Sequence, residues 1–139
     1  IAFDQNGPYQ SSNYHWFRDR YRSFLYIDRV VVASSRRGSG LGRVFYADVQ
    51  SFAEVRAPQL CCEVFLEPRN DVAVLFHGTY GFQEVGQQLM PETERRVSLL
   101  AKEMCSYPWV RDTYAQLPEL PWLTPRPRSA GAPHLATGT

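Results

Sequence analysis

The sequence predicts a single mixed α/β domain, a sheet flanked by helices, and three observations predict it. Residues 24–32 (Phe-Leu-Tyr-Ile-Asp-Arg-Val-Val-Val) are β-branched and aromatic, which suits a strand buried on much of both faces. Residues 34–42 are small, basic and Gly-rich, and apolar residues at helical spacing follow them. Residues 60–66 return to strand composition. Strand, turn, helix and strand in that order make a right-handed crossover, so the two strands are expected to be parallel neighbours in the middle of the sheet.

The remaining elements follow in chain order. Ile1, Ala2 and Phe3 form a stub of strand, closed by the turn signal Asn6-Gly7-Pro8. Residues 13–21 are crowded with aromatics and arginines and read as a short helix or a folded loop. The crossover helix places Leu41, Val44, Phe45, Val49, Phe52 and Val55 on its buried face, and Pro58 stops it. Asn70 can cap a short helix from residue 71 to about residue 80, with Gly81 at the left-handed position beyond its end. Residues 82–89 and 95–104 read as a hairpin. A last helix is expected over 107–117, and residues 118–139, rich in Pro, Gly, Ala and Thr, read as a mobile tail after a domain of residues 1–117.

The bulk numbers narrow the class. A chain of 139 residues holds one core rather than two. With 44% hydrophobic residues, 21% charged residues and a formal charge of +1, it lacks the basic excess of a nucleic-acid binder. No apolar run approaches the roughly 20 residues of a membrane span, and the start has no signal-peptide pattern, so the expected compartment is the cytoplasm. The chain opens at Ile1 without an initiator methionine, so a fragment or trimmed chain is expected. Cys61, Cys62 and Cys105 follow no metal or disulfide pattern and read as buried small hydrophobes. His15 and His134 have no metal-site spacing either, so no metal is expected.

The stretch Arg37-Gly38-Ser39-Gly40-Leu41-Gly42 carries the chemistry. Its glycines let a bulky anion approach the backbone, and the free N–H groups of the loop and first helical turn point at it. Arg36, Arg37 and Arg43 add positive charge at the rim, where charge-assisted bonds to phosphate are strong. It lacks the Lys-Ser/Thr ending of a P-loop. As a dinucleotide fingerprint its third glycine, Gly42, comes one residue early, although Glu63 falls near the acidic position of that fold. A dinucleotide-binding enzyme therefore stays open as a lesser alternative.

The same stretch fits the Arg/Gln-x-x-Gly-x-Gly/Ala pattern of the GCN5-related N-acetyltransferases. A second signature lies downstream: Asn70, Ala73, the aromatic Phe76, then Gly81-Phe82 resemble that family's Asn-x-x-Ala, aromatic and Gly-Phe segment. With Ile27-Asp28-Arg29-Val30-Val31-Val32 before the loop, the resemblance covers about residues 24–104. It implies an acyl-CoA N-acyltransferase fold whose parallel strand pair splays around the pantetheine arm of acetyl-CoA. Backbone groups of Val30, Val31 and Val32 would meet that arm, residues 37–43 the pyrophosphate, and Asn70 and Phe76 the cofactor. The function implied is transfer of an acetyl group to a primary amine, on a small molecule or a peptide, by direct attack. A non-catalytic CoA-binding or regulatory module is the alternative from another class.

The family often has a tyrosine where this chain has His77, in a position to protonate the departing thiolate. A structural histidine is as good a reading of the residue itself. Asp28 and Glu63 are the carboxylates that burial could make into a base, or ion pairs with Arg29 or Arg56. Tyr14, Trp16, Phe17 and Tyr21 either line an acceptor pocket or pack in the core. The family's first strands and helices would lie upstream of Ile1, which predicts a bare sheet edge and apolar face that call for those residues or for a partner chain, a homodimer included.

Overall fold

The computed structural model describes residues 1–115; the tail assigned to 118–139, and the end of the last helix at 116–117, lie outside the described residues. The elements are β1 (Ala2–Asp4), α1 (Ser12–Arg18), β2 (Leu25–Ile27), a 3-10 turn (Ser34–Arg36), α2 (Leu41–Glu54), β3 (Gln59–Phe65), α3 (Asp71–Thr79), β4 (Gln83–Met90), β5 (Arg95–Glu103) and α4 (Tyr107–Ala115). They build one five-stranded sheet in the order β1-β2-β3-β5-β4. The β2–β3 pair is parallel and the other three pairs are antiparallel. A dinucleotide fold needs a doubly wound parallel sheet, so that alternative falls.

Alternation along the strands gives each face its own core. Leu60, Cys62 and Val64 of β3 turn one way, with Leu100 of β5, toward α2 and α3. Cys61 turns the other way with Val97, Leu99 and Ala101, beneath the aromatics of α1. Tyr14 and Phe17 have no exposed surface and pack on Tyr26 and Phe24. These rings answer the expectation of a bare apolar face: α1 covers it. They are therefore core rather than pocket lining. Trp16 extends the cover to β4, where a Cβ at Gly86 would stand 2.5 Å from the indole Cζ2. Gly86 follows a β-bulge in β4, so the strand bends where the ring lies against it.

Three expectations needed correction. Of the strand expected over 24–32, only Leu25–Ile27 is formed. Asp28 and Arg29 still bond to Ile1 on the β1 side, but on the β3 side the ladder stops at Tyr26↔Cys61. On α2, Val44 and Phe52 are 60% and 48% exposed. The face that meets the sheet instead runs through Tyr46, Val49 and Ala53, because the apolar periodicity included residues that bury less than their type suggests. Cys105 is exposed, since β5 has ended and the chain is turning into α4. Cys61 and Cys62 are buried as expected, with burial pushing both thiols up.

Candidate active site

The site starts where β2 and β3 part. They share two register pairs, Leu25↔Leu60 and Tyr26↔Cys61, and then β3 runs on to Phe65 without its parallel neighbour. Beyond Cys61 residues 28–33 therefore form no ladder with that edge of β3. The loop that follows this segment has Gly38 at φ 79° and Gly40 at φ 83°, left-handed conformations that a side chain resists. A Cβ at either position would meet nothing within 4 Å, so the turn is open to whatever approaches it.

Gly40 is also the N-cap of α2, and no side chain caps that end. The first-turn N–H groups are therefore free to meet an anion, with the helix dipole behind them. Arg36, Arg37 and Arg43 are exposed around the loop. Arg37 is drawn inward, its Nε donating to the Val32 carbonyl at 3.4 Å. Of the three valines, Val32 therefore has a carbonyl engaged within the chain. Ser39 is also engaged, its hydroxyl donating to the Arg36 carbonyl. The chemistry of this donor set suits a diphosphate: amides, a helix end and guanidinium groups.

The second signature stands beside the first. Asn70 caps α3, its side chain accepting from the Ala73 N–H at 3.1 Å. Gly81, at φ 81°, ends the helix, and the Phe82 N–H returns to the His77 carbonyl. Phe76 of α3 reaches over Gly42 of α2, where a Cβ would make ordinary contact with the ring at 3.7 Å. Two motifs 34 positions apart in sequence therefore share one surface.

His77 does not sit as a proton donor. It is buried, its Nδ1 donates to the Ala73 carbonyl at 2.7 Å, and its Nε2 lies 2.5 Å from the Tyr46 hydroxyl. A carbonyl only accepts, so the proton is on Nδ1, and Tyr46 donates to Nε2. Burial also lowers the pKa of His77, which keeps the ring neutral. Both nitrogens are committed, and the residue locks α3 to α2. Of the two readings the sequence left open for His77, this geometry fits the structural one.

The two carboxylates separate in the same way. Asp28 is paired, accepting from Arg29 Nε at 2.8 Å and from the Tyr9 hydroxyl, with its side chain 9% exposed. It is an anchored ion pair rather than a free base. Glu63, on β3, accepts from the Tyr26 hydroxyl at 2.7 Å, a bond that spans the parting strands. Burial is the main force raising its pKa, to about 7, and the charge of Asp28 adds to it, while Tyr26 opposes. Asp28 and Tyr26, two residues apart, share the face on which Glu63 lies. Tyr26 and Tyr46 are the partners of Glu63 and His77 that the sequence reading missed; the period-2 pattern through Tyr26 and Asp28 was the signal for the first.

No family model matches the sequence, and no curated protein matches it significantly. Solved structures do. A chain of the NatC complex bound to Gag peptide and CoA is 16% identical, with TM-score 0.54 over 74% of this chain and 58% of that one. An acetyltransferase matches at TM-score 0.52 and 21% identity, over 58% of this chain and 41% of its own. Nourseothricin acetyltransferase matches at TM-score 0.51 and 23% identity, over 58% and 50%. The chain spans about half the length of these structures. The five-stranded mixed sheet with one parallel pair, flanked by helices, is accordingly a fold shared with these solved acetyltransferases.

Proposed function

We propose that this chain carries the acyl-CoA-binding half of an acetyltransferase that moves an acetyl group from acetyl-CoA to a primary amine. The observation that carries the reading is the Gly38–Gly40 turn, which opens an uncapped helix end at the mouth of a parted parallel strand pair. That combination offers amides to a diphosphate and unpaired strand backbone to an extended amide-bearing arm. A matched structure bound to CoA supports the same ligand.

In this reading residues 37–43 hold the diphosphate, Val30 and Val31 offer backbone groups to the pantetheine arm, and Asn70 and Phe76 flank it. An N–H at the end of β2 polarises the acetyl carbonyl. Glu63 takes a proton from the acceptor ammonium, a task suited to a carboxyl with a pKa of about 7. The freed amine attacks the thioester carbon directly; one C–N bond forms and one C–S bond breaks, CoA leaves as the thiolate with that bond's electron pair, and the proton still on the nitrogen passes to the thiolate. Asp28, paired with Arg29 and bonded by Tyr9, anchors the segment that follows β2.

Calorimetry with acetyl-CoA and NAD tests the binding half, and CoA thiol release across a panel of amines tests the transfer. Strong preference for acetyl-CoA is expected, with transfer rising as pH passes through about 7 and falling about 10²–10⁴-fold in Glu63→Gln. Equal binding of the two nucleotides overturns the assignment. Acetyl-CoA binding with undiminished transfer in Glu63→Gln removes Glu63 as the base, and binding with no transfer to any amine leaves a CoA-binding module.

A further inference from the structure

One buried donor beside Glu63 is left over. Asn13, on α1, has no exposed surface, and its Oδ1 accepts from Gln88 Nε2 at 3.0 Å. That bond decides which way the amide lies, with its oxygen toward β4 and its nitrogen turned away from it. Nδ2 itself has no partner in hydrogen-bond geometry. A buried N–H without an acceptor costs stability, and native proteins retain few of them. Yet the amide does act on the Glu63 carboxyl, as a donor that favours the carboxylate. The register puts Glu63 opposite Leu99 and Gln88 opposite Val97, on the face that α1 covers, so the amide that Gln88 holds and the Glu63 carboxyl share one side of the sheet.

We propose that Asn13 is a positioning residue for Glu63: its Nδ2–H is a donor held for the carboxylate, which draws it in on ionising, while Gln88 keeps the amide turned the right way. The carboxyl has few other means of support. The titratable groups that act with it are Tyr26 on β2, Asp28 just beyond that strand, Cys62 on β3 and Tyr46 on α2. The two tyrosines and the cysteine are held neutral through ordinary pH, and the negative Asp28 opposes ionisation. Asn13 and the Tyr26 hydroxyl work the other way. The short helix of the aromatic segment then has two tasks: its rings cover the sheet, and its one buried amide tunes the group beneath.

The proposal rests on the reading of Glu63 as the base, but the titration of Glu63 tests it without any turnover. The full chain carrying carbon-13 in its glutamate carboxyls is titrated by NMR, as wild type and as Asn13→Leu, Asn13→Asp and Gln88→Met, with Glu63→Gln identifying the signal. Asn13→Leu is expected to raise the Glu63 midpoint by about one pH unit, roughly tenfold less carboxylate at a given pH between the two midpoints. Asn13→Asp, of the same shape, shifts it upward too, and Gln88→Met shifts it less in the same direction. A merely structural role would lower the melting temperature and leave the midpoint in place, and that result overturns the proposal. Should Asn13→Leu not fold, the other two variants decide by the same criterion. A shifted midpoint in a protein that transfers no acetyl group supports the role of Asn13 and sinks the transferase reading alone.

Discussion

At the scale of single residues, the site depends on which polar groups are already spoken for. Glu63 is raised to about 7 from an ordinary carboxyl value, so the fold favours its protonated form. Stability from this group is complete below the unfolded value and is lost as pH rises toward 7, by roughly 2–4 kcal/mol in all. Glu63→Gln should therefore melt at a higher temperature than wild type at pH 8 and at the same temperature at pH 4.5; equal melting at both would remove the buried charge. His77 behaves oppositely. Its pKa is lowered, so its stabilisation is present above the ordinary histidine range and fades as pH falls through the folded value. His77→Phe leaves the Tyr46 hydroxyl without its acceptor and should cost about 1–3 kcal/mol in a denaturant titration. Because His77 holds helices rather than protons, that variant should keep its pH–rate profile. A lost limb of the profile would restore the acid role.

At the scale of elements, the α2 end and the α1 cover carry the design. Gly40→Ala places a Cβ in a left-handed residue, which strains the turn by roughly 1–2 kcal/mol, and moves the amides of the first helical turn. The expected result is weaker acetyl-CoA binding by calorimetry with little change in the rest of the fold. Unchanged affinity would show that the turn holds nothing. The α1 cover is held by close approach to β4. Gly86→Ala puts a methyl 2.5 Å from the Trp16 ring, and displacing an indole packed on T-shaped Phe17 should cost about 1–3 kcal/mol. Paired with Trp16→Leu, which vacates the space, the loss should shrink; equal losses in both backgrounds would place the strain elsewhere in the bulge.

At the scale of the whole molecule, two cores lie on opposite faces of one sheet and share β2, β3 and β5. Neither core can melt while the strands between them stay intact. A single cooperative transition is expected, with far- and near-ultraviolet dichroism coinciding in urea. Phe17→Ala should lower the midpoint for both faces together, by about 3–5 kcal/mol, although Phe17 touches one of them. Separate transitions would mean that the α1 face is a satellite of the other.

Much of this was legible in the chain itself. Composition and period marked the parallel pair, the Gly-rich turn, the Asn70 cap and the last hairpin, because each depends on residues near one another in sequence. Gly38, Gly40 and Gly81 occupy left-handed positions that the chemistry of glycine announces in advance. Four things were decided only by tertiary contact. β5 inserts between β3 and β4; Phe76 comes to rest over Gly42; His77 finds Tyr46; and Tyr26 closes on Glu63. Whether a histidine or carboxylate is free to exchange a proton is set by burial and by partners such as Tyr9 of Asp28, Tyr46 of His77 and Tyr26 of Glu63, 19, 31 and 37 positions away. A local pattern holds no information about those partners, so the sequence determined the scaffold and its Gly-rich turn, and packing determined which titratable groups were paired and which carboxyl was raised.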